Sequence, residues 1–284
     1  MKRRKVLIGM SLLIIGLPIT LVLTAAVSFY ILNHTNGTIN SAGMNREYLL
    51  YVPPSYNRTS PVPLVISMHA LALWPAAQME TSGWNRLADK HGFIVVYPSG
   101  TGVAPKTWRM RPEAALMADV QFISDLIDRL GTTHNIDRTR VYVNGFSNGG
   151  GAAFVLSCKL SDRIAAVGVV AAAQVLPWSW CTDHRAVPMV AFHGTADRIV
   201  PYEGGPSAFF DIPFPRVPNW TANWAQRNRC QTGPAESRGG VHITRITYAR
   251  CADGADVGRY RIDGGGHSWP SGKPMPEWMV GPTT

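Results

Sequence analysis

The feature that most constrains this chain is a serine between two glycines, where a strand-like segment meets a helix-like one. Residues 141–143 are an apolar, mostly β-branched run, the turn Gly145-Phe-Ser-Asn-Gly149 follows, and an alanine-rich helical pattern comes next. The small residues on both sides of Ser147 predict a tight turn, in which strand and helix pass close to each other. Such a turn pushes the Ser147 hydroxyl out above the helix N-terminus, where backbone N–H groups favour a developing oxyanion.

Two downstream segments supply the carboxylate and the imidazole that a serine nucleophile needs. An apolar run at 187–193 leads to Asp197, and a strand-like run at 259–262 leads through three glycines to His267. Both side chains then lie just past the C-terminal ends of strands, the edge at which open α/β sheets place their sites. The chain order Ser147, Asp197, His267 is the one in which α/β-hydrolases carry a catalytic triad.

Strand-like and amphipathic helical segments alternate along the chain, which predicts an α/β fold with a mostly parallel sheet and helices on both faces. Apolar residues at helical spacing predict a helix over 118–130. The segment 204–219 is rich in proline, has no period, and is expected to be a surface insertion near the site. The predicted strands are 46–52, 64–68, 93–97, 140–144, 165–171, 189–193 and 244–248.

Three of these motifs together carry a family resemblance. The runs Gly145-Phe-Ser-Asn-Gly-Gly150, His193-Gly-Thr-Ala-Asp197 and Gly265-Gly-His-Ser-Trp-Pro270 resemble the polyhydroxybutyrate depolymerase and feruloyl/acetylxylan esterase family. The resemblance covers roughly residues 45–280. It implies an α/β-hydrolase fold, the triad Ser147, Asp197 and His267, and neither a cofactor nor a metal.

The resemblance also implies a reaction and further site residues. We expect hydrolysis of a carboxylic ester, including esters in polymers, through an acyl-enzyme. Different relatives act on polyhydroxyalkanoate, feruloyl or acetyl esters. The oxyanion hole is expected to combine the backbone N–H groups of Asn148 and Leu71. Trp269 and Trp108 are candidates for lining the substrate pocket, because aromatic side chains offer flat apolar area. Core packing is the alternative for both tryptophans.

Two departures from the family pattern leave other functions open. Ala70 stands where relatives have a glycine, and this would strain the oxyanion loop if a positive φ were required there. Relatives also continue into a closing helix after the histidine loop, and we expect this helix to be missing here. The alternatives are therefore an acyltransferase with the same triad and a catalytically weak cell-surface binding protein.

The N-terminal segment predicts export. Lys2-Arg-Arg-Lys5 precedes an uncharged, mostly apolar run from Val6 to Leu32, which is long enough to span a membrane. Residues 1–32 are accordingly expected to be a signal peptide or an uncleaved signal anchor, with a linker at 33–44 and one catalytic domain at 45–284. Either form places that domain outside the cytoplasm, secreted or attached to the membrane.

Four cysteines, all after the N-terminal segment, agree with an oxidising compartment. Family resemblance favours the pairs Cys158–Cys181 and Cys230–Cys251, although the other two pairings and free thiols remain open at this point. No two cysteines have the C-x-x-C spacing of a zinc site.

Charge argues against a nucleic-acid partner. The net charge of +9 falls to +5 without the four basic residues at positions 2–5. The remaining basic residues are scattered, with no aromatic-interleaved cluster of the kind that a nucleic-acid groove uses.

Overall fold

One ten-stranded sheet organises the structure, a computed structural model that describes residues 33–102, 106–109, 114–173, 176–211, 213–272 and 277–282. The predicted signal or anchor segment at 1–32 lies outside these residues. No helix in the described part of the chain is long and apolar enough to cross a membrane.

The strands of the large sheet are β1 (Gly37–Ser41), β2 (Met44–Tyr51), β3 (Val62–Met68), β4 (Ile94–Pro98), β5 (Ile136–Phe146), β6 (Ala166–Val170), β7 (Met189–Gly194), β10 (Thr232–Arg238), β11 (Ile243–Ala249) and β12 (Val257–Ile262). A separate two-stranded ladder joins β8 (Gly205–Pro206) to β9 (Pro213–Phe214). The α-helices are α1 (Pro75–Ser82), α2 (Trp84–His91), α3 (Ala114–Thr133), α4 (Asn148–Lys159), α5 (Val217–Arg227) and α6 (Glu277–Val280).

The topology creates a switch point in the middle of the sheet. The strand order is β1-β2-β4-β3-β5-β6-β7-β12-β11-β10, and the six strands from β4 to β12 in this order are parallel. From β3 the chain crosses to β4 on one side and then returns past β3 to β5 on the other. Ligand sites in open α/β sheets lie at such a reversal, beyond the C-terminal ends of the strands.

Helices cover both faces of the sheet, as predicted. Leu64 and Ile66 of β3 pack in the larger core with α3 and α4, whereas Val65 between them points to the smaller core with α1 and α2. This alternation follows from the two-residue period of a strand. Because both faces are buried, strand β4 (Ile94–Pro98) is apolar throughout.

The seven predicted strands and the predicted helix at 118–130 are confirmed, with boundaries that differ by a few residues. The prediction of a linker at 33–44 is corrected by the structure, because Gly37–Ser41 forms edge strand β1, which pairs with β2. Strand β10 was not predicted; every residue in it is exposed, so it has no apolar alternation. The segment 204–219 contains β8, β9 and the start of α5 rather than irregular chain alone.

Two disulfides are present, in the pairing that the family resemblance favoured. Cys158 of α4 is joined to Cys181, and Cys230 after α5 is joined to Cys251 after β11. Each bond closes a short stretch of chain, with sequence separations of 23 and 21 residues.

A buried ion pair ties strand β2 to the segment beside the site. Arg46 Nη2 of β2 lies 2.8 Å from Asp119 Oδ1 of α3, and the Arg46 guanidinium stacks 4.0 Å above the Phe122 ring. Asp119 Oδ2 accepts the Arg109 N–H at 3.0 Å. The carboxylate therefore holds the backbone next to Trp108, which contacts the candidate site.

Replacing Asp119 with asparagine should destabilise the fold strongly, because Arg46 would remain buried without a carboxylate. We expect a loss of about 3–5 kcal/mol in the free energy of unfolding, measured by urea denaturation. The matched control is Asp128→Asn on the same helix, where a half-exposed carboxylate pairs with Arg138 and Arg163. That change should cost less than about 1 kcal/mol; equal losses in the two variants would contradict the role assigned to the buried pair.

Candidate active site

Ser147 lies in a strained turn between β5 and α4. Its φ of 53° and ψ of −117° fall where non-glycine residues are rarely found, which costs energy that the surrounding contacts must offset. A Cβ on Gly145 would lie 2.1 Å from the Gly149 carbonyl oxygen, and one on Gly149 would lie 2.4 Å from the Met68 carbonyl oxygen. Both glycines are therefore required by close backbone approach, as the sequence predicted.

Asp197 and His267 meet at the same edge of the sheet. Asp197 follows β7, His267 follows β12, and the two strands are parallel neighbours. His267 Nδ1 lies 2.8 Å from Asp197 Oδ2. The loops approach so closely that a Cβ on Gly194 would lie 2.0 Å from the Gly265 carbonyl oxygen.

The Asp197 carboxylate is almost fully enclosed by hydrogen-bond donors. Its Oδ1 accepts the N–H groups of Ile199 and Val200, each at 2.8 Å. Its Oδ2 faces His193 Nε2 at 3.3 Å as well as His267. Burial by itself would raise the pKa of Asp197, but the charge interactions and hydrogen bonds with His267 and His193 outweigh it and hold this pKa well below the usual range. The carboxylate is therefore ionised throughout the neutral range.

Ser147 and His267 are brought to one place, and no hydrogen bond joins these two described residues. The Phe146 ring, next to Ser147, lies 5.2 Å from the His267 ring. The hydroxyl–imidazole bond of such sites commonly tightens only when substrate is bound. Within the described ranges, no three His, Cys, Asp or Glu side chains are grouped so that they could share a metal ion.

The two expected oxyanion donors are backbone N–H groups at the switch point. Asn148 is the first residue of α4, and Leu71 follows β3 in a turn closed by the Leu73 N–H and the Ala70 carbonyl at 3.1 Å. Neither the Asn148 N–H nor the Leu71 N–H donates to any described residue. Both donors are thus available to a ligand, and their assignment to an oxyanion hole stays a prediction.

The alanine at position 70 does not carry the strain that the sequence suggested. Ala70 is absent from the residues with positive φ, whereas Ala72 has a φ of 60°. The Ala72 N–H donates to the Lys106 carbonyl at 2.9 Å, which holds this turn in place. The left-handed residue is therefore two positions later than the family glycine, and a side chain at position 70 is accommodated.

His69 fixes the start of this turn, a role that the sequence analysis did not identify. Its side chain is completely buried, Nδ1 donates to the Ala70 carbonyl at 2.7 Å, and Nε2 accepts the Gly100 N–H at 2.9 Å. These partners require a neutral ring with its hydrogen on Nδ1. Burial lowers the pKa of His69 to about 4. A histidine directly after a buried strand and before the turn was the available signal.

The two tryptophans occupy different environments. Trp108 is only 1% exposed and its indole N–H donates to the His69 carbonyl at 3.1 Å, so it offers no surface to a substrate. Its backbone N–H and carbonyl instead bind the Asn148 side-chain amide at 2.7 and 3.0 Å. Trp269 is half-buried, with its ring 6.4 Å from and perpendicular to that of Phe146. Its contact with substrate stays a prediction.

The C-terminal residues pack on the histidine loop. The His267 N–H donates to the Val280 carbonyl at 2.5 Å, and α6 (Glu277–Val280) lies in this segment. A Cβ on Gly266 would lie 2.2 Å from the same carbonyl oxygen. This short helix thus supports the loop that carries His267. The expected absence of the family's closing helix stays a prediction.

The buried neutral state of His69 makes stability depend on pH. Between pH 6.5 and 4 the unfolded chain binds a proton at this position that the folded chain does not bind, so stability is lost as the pH falls. Between pH 7 and 4 the natural chain should lose about 3 kcal/mol more unfolding free energy than His69→Gln, which cannot titrate. Urea denaturation across this range measures it. The control His91→Gln, at an exposed position, should show the same pH dependence as the natural chain. If the unfolding free energy of His69→Gln fell with pH as steeply as that of the natural chain, the assignment of a neutral buried His69 would be refuted.

Comparison with known proteins now adds to this geometry. The family model "Esterase PHB depolymerase" matches residues 46–199. The chain is 30% identical to Feruloyl esterase B of Piromyces equi over 80% of its own length and 44% of that protein. It is 29% identical to the Bifunctional acetylxylan esterase/xylanase XynS20E of Neocallimastix patriciarum over 80% and 31%. The chain thus spans less than half the length of these two relatives.

A solved structure supports the same fold. The Acetyl xylan esterase from Aspergillus awamori superimposes with a TM-score of 0.62 at 14% identity, over 82% of this chain and 93% of that one. At that identity the match shows the α/β-hydrolase fold alone. The family match covers more than half of the chain, and the chain therefore belongs to the esterase PHB depolymerase family.

Proposed function

We propose that this chain is an exported serine esterase that cleaves carboxylic esters through an acyl-enzyme on Ser147. The observation that carries the proposal is the strained Ser147 turn at the switch point, on the same sheet edge as the Asp197–His267 pair. A turn of this kind is energetically costly and persists where function requires an exposed nucleophile. Family membership supports ester chemistry at this place.

The first half of the reaction forms the acyl-enzyme. His267 Nε2 takes the Ser147 hydroxyl proton as Oγ attacks the ester carbonyl, and then returns it to the departing alcohol. Asp197 holds Nδ1–H toward itself at 2.8 Å, so that Nε2 is the free basic nitrogen. The ionised Asp197 also stabilises the imidazolium that forms during each proton transfer.

The same residues act in the second half of the reaction, the hydrolysis of the acyl-enzyme, and the same backbone donors stabilise the oxyanion in both halves. The N–H groups of Asn148 and Leu71 receive the negative oxygen of both tetrahedral intermediates, and such a donor is typically worth about 3–4 kcal/mol. Water then attacks the acyl-enzyme with His267 as base, and the acid product leaves. The fully buried His69 and Trp108 hold the two donor segments in register.

Acetyl or feruloyl esters of plant polysaccharide are the substrates that we propose. The support is the similarity to two relatives that are named as a feruloyl esterase and an acetylxylan esterase. An apolar cluster beside Ser147 is compatible with an acetyl methyl or an aryl group; it combines buried Ala70, Phe146 and Val170 with half-buried Leu73 and Trp269. Hydroxybutyrate esters, suggested by the family description, are the competing substrate class.

The alternative of a catalytically weak binding protein loses one of its two supports. It was based on strain at position 70 and on the expected missing closing helix, and Ala70 has no positive φ. An acyltransferase with the same triad differs only in the acceptor, so product analysis with an added alcohol distinguishes it from a hydrolase. The two disulfides support an oxidising, extracytoplasmic location for the domain.

Ser147→Ala is the direct test of the nucleophile. Turnover of p-nitrophenyl acetate, methyl ferulate and p-nitrophenyl hydroxybutyrate by the full chain is compared with that of the variant. We expect a loss of about 10⁴-fold or more in kcat, because no other group can form the acyl-enzyme. Ser237→Ala, on the exposed edge strand β10, should leave kcat unchanged. Turnover that survives in Ser147→Ala would refute the mechanism.

Asp197→Asn tests the orienting acid. An amide no longer stabilises the imidazolium and allows the wrong tautomer of His267, so kcat should fall by about 10⁴-fold with little change in KM. Steady-state kinetics give both constants. The matched control is Asp263→Asn, an exposed carboxylate in the loop before His267 that binds Arg261. A loss of less than tenfold in Asp197→Asn would show that Asp197 is not the triad acid.

A further inference from the structure

Asp197 faces two imidazoles, and the mechanism above uses only one of them. His193, at the end of β7, lies with Nε2 3.3 Å from Asp197 Oδ2 and 2.9 Å from the Val200 carbonyl oxygen. Its side chain is only 1% exposed, so it presents almost no surface to a ligand. The second imidazole therefore acts on the triad acid and not on substrate.

The partners of His193 determine where its hydrogen is. A carbonyl oxygen and an ionised carboxylate only accept hydrogen bonds, so Nε2 must carry the hydrogen that both of them face. One N–H thus bridges the Val200 carbonyl and the Oδ2 atom that also accepts from His267. The Val200 N–H in turn donates to Asp197 Oδ1 at 2.8 Å, which closes a ring of hydrogen bonds around the carboxylate.

The other groups packed on His193 do not titrate near neutral pH. The Tyr202 ring lies 5.9 Å away, edge to face, and burial raises the pKa of Tyr202. Arg259 stands 5.6 Å from the Tyr202 ring, and Arg261 is the neighbour of His193 in the β12 register, with its guanidinium bound to Asp263. Arginines remain charged, so none of these three groups changes charge between pH 5 and 8.

We propose that His193 is a positioning residue of the triad: its Nε2–H ties Asp197 Oδ2 to the Val200 carbonyl and shares the carboxylate charge with His267. The inference rests on the proposed function for its kinetic consequence only. Two effects follow from the geometry. Oδ2 is held at hydrogen-bond distance from His267, and the negative field that it exerts on His267 is weaker than that of an unshared carboxylate.

The second effect has a definite sign. Without the His193 donor, more of the Asp197 charge acts on His267 and favours the protonated imidazole. The titration midpoint of His267 should therefore move to higher pH, by about half a unit or more. A residue that merely fills the core would not move it.

His193→Phe tests the proposal, because phenylalanine keeps a ring in the space and removes the donor. We expect kcat to fall by about 10- to 100-fold from misplacement of Asp197, with KM unchanged. The acidic limb of the kcat profile should move to higher pH. His193→Gln places an amide N–H near the position of Nε2 and should recover most of kcat and the original limb. His134→Gln, at the opposite end of β5 from Ser147, is the control.

A second readout is independent of turnover. The His267 ring is followed by NMR titration in the full chain and in each variant, together with the thermal unfolding midpoint. If His193→Phe does not fold, His193→Asn replaces it, because its shorter amide cannot reach Oδ2 while a polar group is kept at the site. The titration midpoint of His267 should then be raised in His193→Asn and unchanged in His193→Gln.

The outcomes separate the two proposals. A raised His267 midpoint in the donor-free variant and its return in His193→Gln support the role of His193, whether or not the chain turns over esters. An unchanged midpoint in folded His193→Phe or His193→Asn overturns it. No ester turnover from the folded natural chain, with the midpoint shift present, would refute the proposed function and leave the positioning role standing.

Discussion

The close passage of α4 across the ends of β3 and β5 is the constraint on which the rest of the site depends. It requires glycine at 145 and 149, because a methyl group at either position would overlap backbone atoms of the neighbouring segment. The same passage accompanies the strained conformation of Ser147, whose φ is positive. It also sets the start of α4, with the proposed oxyanion donor Asn148, against the end of β3, since Gly149 packs on the Met68 carbonyl group. The proposed nucleophile and one proposed oxyanion donor thus depend on the same packing contact.

Buried polar groups keep that arrangement rigid. The Asn148 amide binds both backbone groups of Trp108, whose indole holds the His69 carbonyl. His69 in turn bonds the Ala70 carbonyl, so the donor loop and the helix start are linked through two buried rings. In a low-dielectric interior such a network is favourable only when its members are satisfied. Its neutral histidine is the reason that acid should weaken the fold.

The buried charge of the proposed triad lies on the Asp197 carboxylate. Asp197 accepts from two backbone N–H groups and two imidazoles, and these donors compensate the cost of burying its charge. A carboxylate satisfied in this way is rigid as well as ionised, which is what orienting His267 requires. In the proposed role, His193 weakens the electrostatic effect of the Asp197 carboxylate on His267 and fixes the position of that carboxylate.

The sequence by itself determined the parts of this protein that have local signatures. The glycine–serine turn, the order Ser147, Asp197, His267 and the buried strands follow from backbone sterics and hydrophobic period, which act over a few residues. Only the tertiary structure decided what depends on distant segments meeting. It showed that Ala70 is unstrained, that Trp108 is buried, that β1 and the fully exposed β10 extend the sheet, and that His69 and His193 contact the site. Apart from His193, which stands in the motif His193-Gly-Thr-Ala-Asp197, these features have no period or motif, because they depend on packing between segments far apart in the chain.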